Sequence, residues 1–133
     1  MKADKTDLFF VYGTLKLGGR FAKQFDGLRV SSVKAEVEGY DLFDLGSYPG
    51  IKPGLGKVIG ELHEYQDPEK VTKIMDSIEG YHPELRDGMY LRRRVSVKTE
   101  TGKTVEANIY VYNFKVTSQA EKIKSGIWKL PKN

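Results

Sequence analysis

Apolar and polar positions along the chain change period several times, and each change marks an element. Residues 9–12 are an unbroken bulky run, Phe9-Phe10-Val11-Tyr12, that stops at Gly13. A short run of that kind, bounded by a glycine, predicts a buried strand entering a tight turn. Phe21 and Phe25 lie four apart, the spacing of a short helix with one apolar face over residues 20–25. Between residues 28 and 45 the apolar positions do not alternate cleanly, which predicts a strand with a bend or bulge near Gly39. Residues 46–57 are dense in glycine and proline and read as an ordered loop, leading into a strand over 58–65.

Asp67-Pro68-Glu69 then has the pattern of a helix start, with Asp67 as N-cap, proline at the first position and an acid in the first turn. Val71, Ile74, Met75 and Ile78 follow at i, i+3, i+4 and i+7, one apolar stripe, and Gly80 is placed to end the helix. Residues 81–88 read as a polar loop. Strict alternation returns over 89–114. Val95 and Val97 alternate with Arg94, Ser96 and Lys98. Across a Thr101-Gly102 turn, Val105, Ala107, Ile109 and Val111 alternate with Glu106, Asn108, Tyr110 and Tyr112, which makes a hairpin. The tail over 123–128 is broken at Ser125-Gly126 and ends on the only tryptophan, Trp128, expected to dock on the body. About six mostly antiparallel strands and one well-defined helix indicate an α+β fold, a small curved or closed sheet with helices at its side.

Composition narrows the class. The 133 residues are read as one domain over 1–133, with a 39% hydrophobic share sufficient for a core. The absence of cysteine excludes disulfides, thiolate metal sites and a cysteine nucleophile. No apolar run reaches the roughly 18 residues a membrane helix needs. The first seven residues lack the apolar core of a signal peptide, so a cytoplasmic location and no membrane partner are expected. The net charge of +4 is scattered without a dense basic stretch, so no nucleic-acid partner is expected.

Several candidate sites dissolve on inspection. Gly54-Leu55-Gly56-Lys57 lacks the spacing of a phosphate-binding loop, and Val58 stands where a hydroxyl residue is needed. His63 and His82 are the only histidines, and His63 and Glu64 point to opposite faces of a strand, so no metal site is expected. Each histidine is read as a surface or hydrogen-bonding residue. Arg92-Arg93-Arg94 alternates faces on a strand, a solvated patch with one arginine partly paired. Two features remain open. The turn at Gly13 is either a plain strand end or a place where successive amides form a concave anion trap. Glu79 follows apolar Ile78 at the predicted helix C-terminus. It is either a solvated acid or one whose pKa is raised toward neutrality by burial and the helix dipole, able to accept and return a proton.

Taken in order, these stretches resemble the γ-glutamylcyclotransferase-like family, which includes the AIG2-like proteins. The resemblance rests on Phe10-Val11-Tyr12-Gly13-Thr14-Leu15 followed by Gly18, then on residues 40–50 and Gly60-Glu61-Leu62. Met75-Asp76-Ser77-Ile78-Glu79-Gly80-Tyr81, Tyr90-Leu91-Arg92 and residues 107–112 follow, with Ser125-Gly126-Ile127-Trp128 also similar. It implies a small mixed, mostly antiparallel β-barrel flanked by helices. It further implies cyclisation of a γ-glutamyl group to 5-oxoproline with release of the attached amine or peptide. Tyr12, Gly13, Thr14 and Leu15 would then bind the substrate, and Glu79 would be the general base and acid. No metal or cofactor is required, and the expected partner is a small γ-glutamyl compound. The alternative is a non-catalytic module binding a carboxylate-bearing metabolite in the same pocket. The chain departs from the pattern at residues 20–24, where many relatives carry asparagine or histidine and this chain has Arg20-Phe21-Ala22-Lys23-Gln24. It departs also at Met75, where leucine is common, and over the charged residues 82–89.

Overall fold

The structure is a computed structural model that describes residues 6–46, 48–81, 88–117 and 120–130. The readings of residues 1–5, of His82 and of most of the polar loop over 81–88 lie outside the described residues. Six strands and one α-helix follow in the order β1 (Thr6–Val11), β2 (Arg29–Asp44), β3 (Pro49–Gln66), α1 (Pro68–Glu79), β4 (Tyr90–Thr99), β5 (Thr104–Tyr112) and β6 (Glu121–Lys122). The sheet order is β3-β1-β5-β4-β2-β6, and β2 also pairs with β3, so five strands close into a barrel with β6 attached to β2. The β1–β5 pair is parallel, meeting at Phe9 and Asn108; the other pairs are antiparallel. The barrel is therefore mixed and mostly antiparallel.

The unbroken apolar run at the start has a structural reason. Phe10 and Tyr12 point into the barrel, where they meet Val37, Leu42, Ile51, Val58 and Ile109. Phe9 and Val11 point outward into a second cluster with Phe25, Tyr65, Val71 and Met75, under α1 and a 3-10 turn at Ala22–Phe25. A strand covered on both faces has no polar side to alternate with. Each of these large side chains contributes about 1.5–3 kcal/mol through burial.

Three expectations need correction. Residues 49–57 are strand and not loop: β3 begins at Pro49, and Asp44, Asp41 and Tyr40 of β2 face Pro49, Lys52 and Pro53. The glycines there serve close packing. A Cβ at Gly54 or Gly56 would lie 2.1 or 2.5 Å from the Asp41 carboxylate, which instead accepts the Gly56 amide at 3.0 Å. Asp67 does not cap α1 with its side chain; it sits at φ 50°, in the left-handed region. Its carbonyl accepts the Val71 amide at 3.1 Å, and Pro68 brings no N–H that needs a cap. In the arginine run two residues are paired, Arg92 with Asp76 and Arg94 with Asp7, each at 3.0 Å.

Other expectations hold. The bulge in β2 falls between Glu38 and Tyr40, with Gly39 at φ 88°. Gly80 ends α1 at φ 64°, its amide directed to the carbonyls of Asp76 and Ser77. Trp128 is buried against the barrel core.

Candidate active site

β1 delivers the chain into a tight turn at residues 13–16, closed by the Lys16 amide on the Gly13 carbonyl at 3.0 Å. The next residues fold back beneath it: the Phe21 amide donates to Thr14 O at 3.0 Å and the Gly19 amide to Lys16 O at 2.7 Å. Glycine is required at the start of this turn and again where the chain folds back. A Cβ on Gly13 would sit 2.6 Å from Pro49 Cγ, and one on Gly19 would sit 2.3 Å from Thr14 O. The carbonyls of Gly13, Thr14 and Lys16 are thus engaged, while the amides of Gly13, Thr14 and Leu15 have no acceptor among the described residues. Successive unpaired amides of this kind form an anion-binding concavity.

Residues 13–15 line a cavity of about 240 Å³. Ile78 and Glu79 reach it from the last turn of α1, Tyr48 and Pro49 from the start of β3, and Met89, Tyr90 and Tyr110 from the hairpin side. Tyr12, Gly13, Thr14, Leu15 and Glu79, singled out from the sequence as two separate features, therefore line one cavity. Burial raises the Glu79 carboxyl to about 7. It has no hydrogen-bond or ion-pair partner among the described residues, so no described group offsets the loss of water.

The tyrosines around it are occupied. Tyr12 donates its hydroxyl to Tyr110 O at 2.6 Å, Tyr90 to Pro49 O at 2.5 Å and Tyr110 to Asp76 Oδ1 at 2.6 Å. Burial raises the pKa of all three hydroxyls, and the nearby Glu79 charge raises them further. They stay neutral and act as wall ties. Asp76, one turn before Glu79, also takes Arg92 Nε at 3.0 Å and Nη2 at 3.3 Å, and the Arg92 guanidinium lies over the Tyr81 ring. The helix end that carries Glu79 is thereby pinned to β4 and β5.

His63 lies elsewhere. It is fully buried, with Nδ1 2.7 Å from the Tyr65 hydroxyl and Nε2 2.9 Å from Glu61 Oε1, which also accepts the Leu17 amide at 2.8 Å. This chain ties β3 to the far side of the first loop. Among the described residues no three His, Asp or Glu side chains are grouped so as to hold a metal ion. Sequence reasoning did not find Arg20, Phe21, Tyr48, Pro49, Met89, Tyr90 or Tyr110 as lining residues. One signal was available: Tyr110 and Tyr112 on the outward stripe of the hairpin are apolar bodies that need a covering layer.

The fold and the site can be set beside known structures. An AIG2-like protein from Mus musculus is 27% identical, with TM-score 0.64 over 80% of this chain and 76% of that one. Protein ytfP from Escherichia coli is 28% identical, with TM-score 0.60 over 91% of this chain and 95% of that one. An uncharacterized protein from Pyrococcus horikoshii is 26% identical, with TM-score 0.61 over 91% and 88%. No curated protein matches the chain in sequence. The family model described as gamma-glutamyl cyclotransferase, AIG2-like, matches residues 9–130, a span that takes in both the first loop and Glu79, and the chain belongs to that family.

Proposed function

We propose that the protein cyclises a γ-glutamyl amine or peptide to 5-oxoproline, with Glu79 as general base and then general acid. The observation that supports this most is a carboxylate raised to about 7, without a partner among the described residues, lining one cavity with three residues whose amides have no acceptor among the described residues. A γ-glutamyl group carries its nucleophile and electrophile on one short chain, so little entropy is lost in reaching the transition state. At neutral pH the α-amine is an ammonium and has no lone pair to attack with. Glu79 takes that proton. The freed nitrogen attacks the γ-carbonyl carbon, closing a five-membered ring and placing negative charge on the carbonyl oxygen. Amides of Gly13, Thr14 and Leu15 hold that oxygen or the α-carboxylate. The intermediate then collapses: Glu79 gives its proton to the departing nitrogen as the bond from carbon to that nitrogen breaks, and the carboxylate so freed takes the second proton from the ring nitrogen, leaving a neutral lactam.

The test is incubation with a panel of γ-glutamyl amines and peptides, reading 5-oxoproline. The variant Glu79→Gln keeps the shape of the side chain and removes the base, so release of 5-oxoproline should fall by about 10²–10⁴-fold with circular dichroism unchanged. Turnover equal to the unmodified protein overturns the assignment of Glu79. Saturable binding of a γ-glutamyl compound by the unmodified protein, without product, makes the site a binding module instead.

A further inference from the structure

Among the described residues that line the cavity there is one cation, Arg20, and one anion, Glu79. Arg20 lies on the exposed rim, where its guanidinium is 5.4 Å from the centre of the Phe21 ring, and it has no carboxylate partner among the described residues. A planar guanidinium laid on an aromatic ring keeps its edge donors free for a bidentate carboxylate. The two charges occupy separate parts of the site. Burial is the cause of the Glu79 shift, and Arg20 does not counter it.

The substrate assigned to the cavity then partitions between them. The α-amine that gives its proton to Glu79 shares a carbon with the α-carboxylate, so that carboxylate is held beside Glu79 and the unpaired amides of the floor. The departing half projects toward the mouth, where Arg20 stands. We propose that Arg20 is a specificity-determining residue that pairs with a carboxylate on the leaving amine, so that γ-glutamyl amino acids and peptides are preferred over γ-glutamyl alkylamines. The inference rests on the cyclisation reading for the orientation of the substrate.

Two compounds differing by one carboxylate isolate the effect: γ-glutamylglycine and the γ-glutamyl N-methylamide. Release of 5-oxoproline is measured for the unmodified protein, Arg20→Ala and Arg20→Lys. Equilibrium binding is measured calorimetrically for Glu79→Gln with and without Arg20→Ala, so that binding is read without turnover. Arg20→Ala should lower kcat/KM and affinity for γ-glutamylglycine about tenfold, a single charge-assisted pair, and change the N-methylamide less than about twofold. Lysine should restore part of the difference, as a point charge without the fork, and salt should shrink it. The same pattern in binding with no 5-oxoproline from any protein upholds Arg20 and overturns the cyclisation reading. Equal losses for both compounds place Arg20 on the α-carboxylate and overturn the proposal. So do unchanged affinities, or failure of both compounds to bind.

Discussion

At pH 8 Glu79 holds a charge where burial opposes it, and the cost falls on stability. Its carboxyl titrates about 7 in the fold against 4.5 for the ordinary group. Between those values the native state binds a proton that the unfolded chain does not, so stability falls as pH rises through that window. Each unit is worth about 1.4 kcal/mol, and because Glu79 is only partly enclosed the total is taken as about 2–3 kcal/mol. Glu79→Gln should therefore be more stable than the unmodified protein by that amount at pH 8 and about equal to it at pH 4. Urea denaturation at the two pH values measures it. A difference that does not change with pH would remove burial as the source. The same titration predicts kcat/KM rising with pH through about 7 as the proposed base is unmasked. Gly13 acts by size and not by charge. Gly13→Ala would push into Pro49, whose carbonyl anchors Tyr90, so the cavity wall shifts and kcat/KM should fall at least tenfold while the melting temperature moves by only a few degrees.

At the scale of elements, the position of Glu79 depends on how the end of α1 is fastened. Asp76 receives Arg92 from β4 and Tyr110 from β5, and it is the polar side chain on the buried face of the helix. Asp76→Asn keeps an acceptor for Tyr110 but leaves Arg92 without a counter-charge. With Arg92 partly exposed, the expected cost is about 1–3 kcal/mol, checked by denaturation, with a loss of kcat because Glu79, the proposed base, sits one turn away. A stability loss without any loss of kcat would mean that the clamp holds the fold and not the site. Asp76 also marks where sequence reading reached its limit. The apolar stripe at Val71, Ile74, Met75 and Ile78 gave the right helix and the right face, because periodicity reports burial of carbon. A buried aspartate is set by partners on other elements, and no local pattern carries them. The hairpin shows the same division: Val95, Val97, Ala107 and Ile109 were legible as one face, while the burial of Asn108 and Tyr110 follows from the layer lying over β5. The start of β3 was misread for a related reason. Its glycines and prolines looked like turn punctuation, yet the long antiparallel partner β2 supplies enough pairing to hold them in a strand, and Asp41 fills the space their missing side chains leave.

For the molecule as a whole, the five-strand closure leaves an apolar interior, and the chain after β6 is drawn across it. Ile123 donates to Leu42 O at 2.7 Å and Ile59 to Gly126 O at 2.8 Å, which lays Trp128 into the core beside Val58 and Ile51. The Trp128 carbonyl then accepts Lys16 Nζ at 2.5 Å, so the tail also holds the first loop, whose other end binds the candidate substrate site. Lys16 is largely buried, and burial lowers its pKa while the Glu61 charge raises it. The indole of Trp128 contributes by area alone, since its Nε1 is buried with no hydrogen-bond partner among the described residues. That gives a signed prediction. Trp128→Ala empties the volume and should cost about 3–5 kcal/mol. Trp128→Phe loses some area but also removes a buried donor whose desolvation costs about 1–3 kcal/mol, so it should lie within about 1.5 kcal/mol of the unmodified protein by denaturation. The two variants should also separate in the site: with the alanine the support under Lys16 loosens and KM for a γ-glutamyl substrate rises, and with phenylalanine it does not. If phenylalanine costs as much as alanine, the indole N–H has a favourable role that area does not describe, and the tail grips the barrel by that group as well as by packing.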